Sequence, residues 1–399
     1  MYPLRRNLTG FLAFLCILVP VFAAGTSSIP AGPADVPAGK APVLKGWLHF
    51  SGQGSRELLA FPTNPEKTRR ELSRLEARMR PGVAAARGGA EVLDAFRRVL
   101  LEEEGFTYDR AAGNPENYLV EGVLARKRGN CLGLSLLFLS LAERFGIPLR
   151  GVYVPGHMFV RYEGRDGAVN FEFSDGGAPW TDVRYRNAFH LSGDRPYLRS
   201  LTSDETIGVL LKSLGAAYAK RGRNQEALVL YAEGARLYPG LPDVAFNAGV
   251  SLQRLGRSEE AIEMYRRAIA LDPSMALARG NLGILLAMEE RYGEAIEEGR
   301  LAVALQPWSA AAHGNLASTY CACGKYEEGI QEYRKATQLN PSSAAIRAGL
   351  TRALFATGAY KDAARECALA CALGCEFEPS MMEVLNRYRE AEPQMDGAP

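Results

Sequence analysis

Four prolines at a fixed spacing constrain the second half of this 399-residue chain more than any other feature. Pro239, Pro273, Pro307 and Pro341 lie 34 residues apart, and each belongs to a similar phrase (ARLYPG, ALDPS, ALQPW and QLNPS). Small residues recur in one register, where two helices of a pair would approach closely. These residues are Gly215, Gly249, Gly283 and Ala317. A period held without drift is typical of stacked helical units that bury a continuous core between neighbours, so the sequence predicts an all-α solenoid.

The period and these positions resemble the tetratricopeptide repeat over residues 208–375. The resemblance implies about five helix pairs, and we place the array at residues 204–375. The fifth repeat, from Ala344, departs from the pattern because Thr351 replaces the small residue and Cys375 stands where proline is expected. Residues 376–399 are expected to form a capping helix and a tail, since repeat arrays need a cover for the apolar side of their last unit.

Arrays of this family hold protein segments in a concave groove that the first helix of each pair lines. By analogy, the groove residues here would be mostly apolar or small. They are Val209, Lys212, Phe246, Val250, Leu277, Ile284, Ser318, Cys321 and Phe355. Two occupants of the groove are open at this point. One is an apolar or helical segment of a partner protein, and the other is the N-terminal half of the same chain.

The N-terminus has the pattern of an export signal. Residues 1–24 combine Arg5 and Arg6 with an apolar run that ends near small residues, which is typical of a secretory signal peptide, with a membrane anchor as the alternative. A Pro/Ala/Gly-rich linker follows at residues 25–44. We therefore expect an exported protein, periplasmic or secreted, and no later segment is long and apolar enough to span a bilayer.

Charge and cysteine content bound the partners and cofactors. The chain has 47 Lys and Arg against 45 Asp and Glu, a net charge of +2, which gives no support to nucleic-acid binding. Five cysteines lie late in the sequence: Cys321, Cys323, Cys367, Cys371 and Cys375. Small buried packing is the favoured interpretation, with disulfides or a metal site as alternatives, because structural metal sites usually draw ligands from separate turns. We expect no metal and no cofactor.

Reactive residue types occur in a specific order in the N-terminal half. Cys131 follows Gly129-Asn130 at the start of a predicted buried helix, where the helix dipole lowers the pKa of a thiol. His157 begins a predicted strand, and Glu172 lies on the next strand, which would bring the two side by side. A nucleophilic cysteine needs such a base and a third group that orients the base. His49, His190 and His313 show no partner pattern.

The phrases RGNCLGLSLLFLSLAERFGIP, VPGHMFVR and NFE resemble the transglutaminase-like superfamily, whose core is shared with papain-like cysteine proteases. The likeness is to a bacterial branch that often carries tetratricopeptide repeats behind the domain. It implies an α+β domain, placed at residues 45–200, with Cys131 as nucleophile, His157 as base and Glu172 as orienting carboxylate. Most transglutaminases have aspartate as the third residue, so Asn170 or Asp175 could serve instead.

Two functions follow from this organisation. The first is an exported thiol enzyme that acts on an amide or peptide bond of a protein or peptide substrate, with hydrolysis preferred over transfer to an amine. The second is a non-catalytic scaffold of the cell envelope, which would use the repeats to recruit a protein partner. The intact cysteine, histidine and carboxylate favour the enzyme.

Overall fold

The computed structural model describes residues 64–110, 115–191 and 197–389. The predicted signal peptide, the linker and most of the tail lie outside the described residues. The chain divides into two compact units, one that runs to Leu255 and one that begins at Gly256. Within the described residues, no helix is long and apolar enough to cross a membrane.

The first part of the chain is an α+β domain. Its helices are α1 (Pro65–Ala85), α2 (Gly89–Arg97), α3 (Val120–Arg126), α4 (Cys131–Phe145) and α5 (Asp182–Ala188). Its strands are β1 (Thr107–Tyr108), β2 (Arg128–Gly129), β3 (Leu149–Val154), β4 (His157–Gly164) and β5 (Gly167–Phe171). A π-helical turn, Arg98–Glu103, and two 3₁₀ turns, Pro115–Asn117 and Phe173–Asp175, complete it.

The core of this domain lies between α4 and a three-stranded antiparallel sheet in the order β3-β4-β5. Helix α4 is apolar on nearly all sides and is buried from Leu132 to Ala142, as its continuous apolar sequence predicts. Phe138, at its centre, packs against Phe171 and Phe173, with ring centroids 5.0 and 4.8 Å away. The sheet therefore has a rigid apolar layer behind the strand ends that carry polar residues.

Polar contacts set the ends of two elements beside the site. Helix α3 begins only at Val120, because Asn117 before it is buried and its side chain bonds Asp109 and Arg126. The prediction that Glu172 lies on a strand is wrong, because β5 ends at Phe171 and Glu172 caps the 3₁₀ turn that follows.

Five helix pairs and a final helix follow, as the 34-residue period predicts. They are α6 (Ser203–Lys220), α7 (Asn224–Leu237), α8 (Pro242–Arg254), α9 (Ser258–Leu271), α10 (Ala276–Met288), α11 (Tyr292–Leu305), α12 (Ala310–Ala322), α13 (Tyr326–Leu339), α14 (Ala344–Ala356), α15 (Tyr360–Ala372) and α16 (Pro379–Arg389). Helix α6 begins where the sequence places the start of the array. Helix α16 covers the end of the last pair, where Leu385 joins the terminal apolar cluster.

The predicted groove residues have different surroundings. Phe246, Val250 and Ile284 are half-buried, and Leu277 is exposed, as groove residues can be. Ser318 bonds the hydroxyl of Tyr333.

Two of the predicted groove residues have no groove surface to offer. Val209 is buried, and Cys321 is buried within the terminal apolar cluster. Their assignment to the groove is wrong, because the apolar character that suggested it also suits helix-to-helix packing. Phe355 is half-buried and packs against that cluster and against Tyr360.

The late cysteines do not act as one group. Cys367 is buried in the terminal cluster, 3.5 Å from the sulfur of Met382, whereas Cys371 is exposed and Cys375 lies beyond the end of α15. All six cysteines after residue 130 are free thiols. No group of three potential metal ligands occurs among the described residues.

Candidate active site

The position of Cys131 is fixed by the turn that precedes it. Tyr108 pairs with Gly129 in a short parallel ladder, which anchors the chain just before the cysteine. Asn130 caps α4 by accepting a hydrogen bond from the Gly133 N–H at 2.9 Å. A Cβ atom at Gly133 would lie 2.0 Å from the carbonyl oxygen of Asn117, so only glycine fits beside that loop. Cys131 is therefore the first residue of a capped, braced helix.

His157 is placed by a tight turn between two strands. It is the first residue of β4 and pairs with Val154, the last residue of β3. Gly156 has a φ of +77°, a conformation that residues with a Cβ atom rarely adopt. The imidazole that follows this turn is 8% exposed and stacks on Phe189, with ring centroids 5.1 Å apart.

Glu172 is completely buried and all of its oxygens are engaged. Its Oε1 accepts hydrogen bonds from the backbone N–H and the hydroxyl of Ser174, at 2.9 and 2.6 Å. Its Oε2 lies 2.7 Å from Nε2 of His157 and accepts from the Tyr185 hydroxyl at 2.8 Å. Burial raises the pKa of this carboxyl, but the bonds from His157 and Ser174 outweigh burial and hold the pKa below its ordinary value. Glu172 is thus a fixed, ionised acceptor.

The imidazole links this carboxylate to the thiol. Glu172 bonds the imidazole of His157, and Cys131 is the other group that acts on it. Because Nε2 is held by Glu172, the nitrogen that can bond the thiol is Nδ1. Burial lowers the pKa of His157, but the hydrogen bonds to Cys131 and Glu172 and the negative charges of both outweigh burial and raise the pKa to about 9. The arrangement favours a protonated imidazole between the thiol and the carboxylate.

Aromatic rings enclose the three residues. Tyr185 stacks on Phe159 with centroids 3.8 Å apart, and burial and the Glu172 charge raise the pKa of its hydroxyl, which stays protonated and donates to Glu172. Burial, with the charges of Cys131 and Glu172, raises the pKa of Tyr108 to about 12. Hydrogen bonds and charges in such apolar surroundings are stronger than in water.

Comparison with known proteins agrees with this geometry. Residues 66–192 match the family model described as the transglutaminase-like superfamily. This part of the chain is a transglutaminase-like domain. Residues 246–310 and 317–358 match two tetratricopeptide-repeat models, so the predicted order of domain and repeats is confirmed.

Several relatives share the region. A "UPF0162 protein" of Xylella fastidiosa (strain Temecula1) is 30% identical over 167 residues, which cover 39% of this chain and 59% of that protein. The chain thus spans less than two thirds of the length of this relative. Human "F-box only protein 21" is 36% identical over 82 residues, 20% of this chain and 13% of that protein.

Two solved structures are similar to part of the chain. MamA from Desulfovibrio magneticus RS-1 is 25% identical with a TM-score of 0.36, and the match covers 42% of this chain and 94% of that one. PilF of Pseudomonas aeruginosa is 20% identical with a TM-score of 0.41, and its match covers 47% of this chain and 90% of that one.

Two alternatives for the third residue of the transglutaminase-like site are wrong. Asn170 accepts a hydrogen bond from Arg161 at 2.7 Å and donates to the carbonyl oxygen of Trp180, so it braces the strand instead. Asp175 accepts from the indole N–H of Trp180 and pairs with Arg184. Glu172 is the acid that the structure brings to His157.

Sequence reasoning missed the groups that surround the site. Tyr185 and Phe189 lie on α5 and just after it, and no spacing relative to Glu172 or His157 marks them. Ser174 could have been found, because a serine two residues after a buried acid commonly bonds it in a tight turn. The backbone carbonyl of Asn117 accepts from the Asn130 N–H at 3.3 Å and supports the turn before Cys131.

Proposed function

We propose that the transglutaminase-like domain is a thiol enzyme that cleaves an amide or peptide bond of a protein or peptide substrate. One observation carries the proposal: His157 bonds a buried, ionised Glu172 and is close enough to Cys131 for the thiol to affect its pKa. A histidine held in this way can both stabilise a thiolate and deliver a proton, which are the two tasks of the base in nucleophilic catalysis.

The first half of the reaction forms a thioester. Sγ of Cys131 attacks the carbonyl carbon, a C–S bond forms, and the C–N bond breaks as His157 gives its proton to the leaving amine. Cys131 and Leu132 are the first two residues of α4, so their backbone N–H groups have no acceptor within the helix. The next two N–H groups are engaged, because the Gly133 N–H bonds the Asn130 side chain and the Leu134 N–H bonds the Asn130 carbonyl. We assign these two donors to the developing oxyanion.

The second half regenerates the enzyme. Water attacks the thioester: its oxygen forms a bond to the carbonyl carbon as His157 takes its proton. The C–S bond then breaks, which releases the carboxylic acid and the Cys131 thiolate. Glu172 keeps Nε2–H oriented throughout, so Nδ1 carries out both proton transfers. A primary amine in place of water would give transfer to that amine, and we favour water as the acceptor. The repeats would hold a protein partner, and the predicted signal would export the chain.

The decisive experiment measures the alkylation rate of Cys131 by iodoacetamide against pH, with site-resolved mass spectrometry. Exposed Cys371 is an internal reference for an accessible thiol. We expect Cys131 to react rapidly well below the ordinary thiol pKa of about 8.5, and His157→Ala to slow labelling at pH 6 about 100-fold. Cleavage of peptides and glutamine amides, abolished in Cys131→Ala, would then identify the reaction. If Cys131 has an ordinary profile whatever occupies position 157, the enzyme proposal fails and the scaffold is the better hypothesis.

A further inference from the structure

A buried polar network joins the transglutaminase-like domain to the first two repeats. Its centre is the hydroxyl of Tyr153, on β3, whose side chain is 3% exposed. The Lys212 ammonium on α6 donates to this oxygen at 3.0 Å and lies 4.7 Å from the ring centroid. The hydroxyl lies 3.1 Å from Oδ1 of Asp243, on the first turn of α8. Lys212 therefore faces the domain, so the part of the groove at Lys212 is filled by the chain itself.

The network reaches the base through the turn that places it. The Gly156 N–H lies 3.4 Å from the Tyr153 oxygen and completes its hydrogen bonding as a second donor. Gly156 is the residue immediately before His157, and its positive φ sets the direction in which β4 starts. Burial and the nearby Asp243 charge raise the pKa of Tyr153, so the hydroxyl stays protonated and can donate to Asp243.

This buried polar contact requires more precise geometry than apolar packing does. A buried ammonium and a carboxylate require well-aligned partners, because the loss of water around each is costly. Lys212 is 8% exposed, and Oδ2 of Asp243 is buried without a hydrogen-bond partner among the described residues. The network thus defines one position for the Tyr153 hydroxyl, whereas an apolar contact would tolerate several.

We propose that the first two repeats position the catalytic base: Lys212 and Asp243 hold the Tyr153 hydroxyl, which holds the Gly156 turn and thereby His157. The proposal rests on the proposed thiol chemistry and makes these three side chains positioning residues. An independent contact attaches the segment just before α6 to the same strand, since the Leu201 N–H donates to the Gly151 carbonyl at 2.8 Å. Removing the hydroxyl should therefore loosen the turn without detaching the repeats.

The test compares Tyr153→Phe with Tyr333→Phe in the full chain. Tyr333 is equally buried and its hydroxyl also makes a short bond, to Ser318 at 2.8 Å, but it belongs to the second unit. Tyr153→Phe should lose more thermal stability than Tyr333→Phe, because it also leaves the Lys212 ammonium and Asp243 without their partner, so labelling is measured well below both unfolding transitions. We expect only Tyr153→Phe to slow iodoacetamide labelling of Cys131 at pH 6, by about three- to tenfold, which is a shift of roughly 0.5 to 1 unit in the pH profile.

Variants in the repeats complete the test. Lys212→Met should reproduce the altered profile from α6, and Lys212→Arg should restore part of the wild-type profile because it keeps a donor. If wild-type Cys131 is reactive at low pH and the Tyr153→Phe and Lys212→Met profiles match it, the positioning role is wrong and the thiol chemistry stands. If wild-type Cys131 itself titrates as an ordinary thiol, both proposals are overturned.

Discussion

The described residues contain two histidine–glutamate pairs with a buried histidine, one in each compact unit, and the pairs differ in what the second ring nitrogen meets. In the transglutaminase-like domain, His157 contacts Glu172 through Nε2 at 2.7 Å and turns its other nitrogen to Cys131. In the repeats, His313 contacts Glu332 through Nδ1 at 2.5 Å, and its Nε2 lies 3.0 Å from the carbonyl oxygen of Pro307. The first pair faces a nucleophile, and the second faces only backbone.

The repeats show what the second pair does. One period before His313, Arg279 bonds Glu298 at 2.7 Å and the carbonyl oxygen of Pro273. One period after it, Arg347 makes the equivalent bonds to Glu366 and to the carbonyl oxygen of Pro341, both at 2.7 Å. His313 thus occupies a structural position that arginine fills in the neighbouring repeats. A short histidine–carboxylate distance is therefore not evidence of catalysis, and the third partner decides.

The two pairs should differ most in Cys131 labelling when the carboxylate charge of each is removed. Glu172→Gln keeps the shape of the side chain but weakens the hold on the imidazolium, so His157 loses its proton more easily and the thiolate loses its partner. We expect labelling of Cys131 at pH 6 to fall about tenfold or more. Glu332→Gln is the matched control and should leave the labelling rate unchanged. Equal effects of the two variants would mean that labelling reports global stability and would break the comparison.

The order of cysteine, histidine and acid could be predicted from the sequence, because it depends on local structure. A capped helix start presents Cys131, and one antiparallel ladder brings residue 157 near residue 172 whatever the rest of the chain does. Tyr185 and Lys212 could not be predicted, since their roles depend on how separate elements pack. The sequence predicts Lys212 as a groove residue, and the structure shows that its ammonium bonds the Tyr153 hydroxyl.

The 34-residue period also aligns His313 with Arg279 and Arg347 of the neighbouring repeats. His313 was set aside for lack of a partner pattern, yet its partners lie 6 residues before and 19 residues after it, as they do for Arg279 and Arg347. Cys321 is predicted in the groove because it is apolar and lies on the first helix of a pair, although it packs in the core. In a repeat, apolar residues of the first helix serve either the groove or the core, and composition does not separate the two.

A second prediction concerns the pH dependence of stability. The folded-state pKa of His157, about 9, lies above its ordinary value of 6.5, so its proton is bound more tightly in the folded state. The resulting stabilisation is fully present below pH 6.5 and is lost as the pH rises through 9. Cys131, Glu172, Tyr108 and Tyr185 are the titratable groups around it.

Denaturant unfolding at pH 6.5 and 9.5 measures this stabilisation. We expect the difference in unfolding free energy between the wild type and His157→Gln to shrink by about 1–3 kcal/mol over this range. A difference that stays constant or grows with pH would contradict the assignment of an imidazolium at position 157.

The smallest effects are expected at His313, where the histidine can be replaced by the residue of its neighbouring repeats. An imidazole satisfies both the Glu332 carboxylate and the Pro307 carbonyl only when both of its nitrogens carry protons, whereas a guanidinium always donates to both. His313→Arg should therefore change the unfolding free energy by no more than about 0.5 kcal/mol. His313→Ala should lower it by about 0.5–1.5 kcal/mol, because the half-buried Glu332 carboxylate and the exposed Pro307 carbonyl lose their donor. Neither variant should alter the labelling profile of Cys131.

The same exchange to arginine at the other site separates the two roles. His157→Arg offers no group that can give up and retake a proton, so cleavage activity should disappear. If His313→Arg changed Cys131 reactivity, or if His157→Arg kept cleavage activity, the distinction between a structural and a reactive histidine–glutamate pair would be wrong.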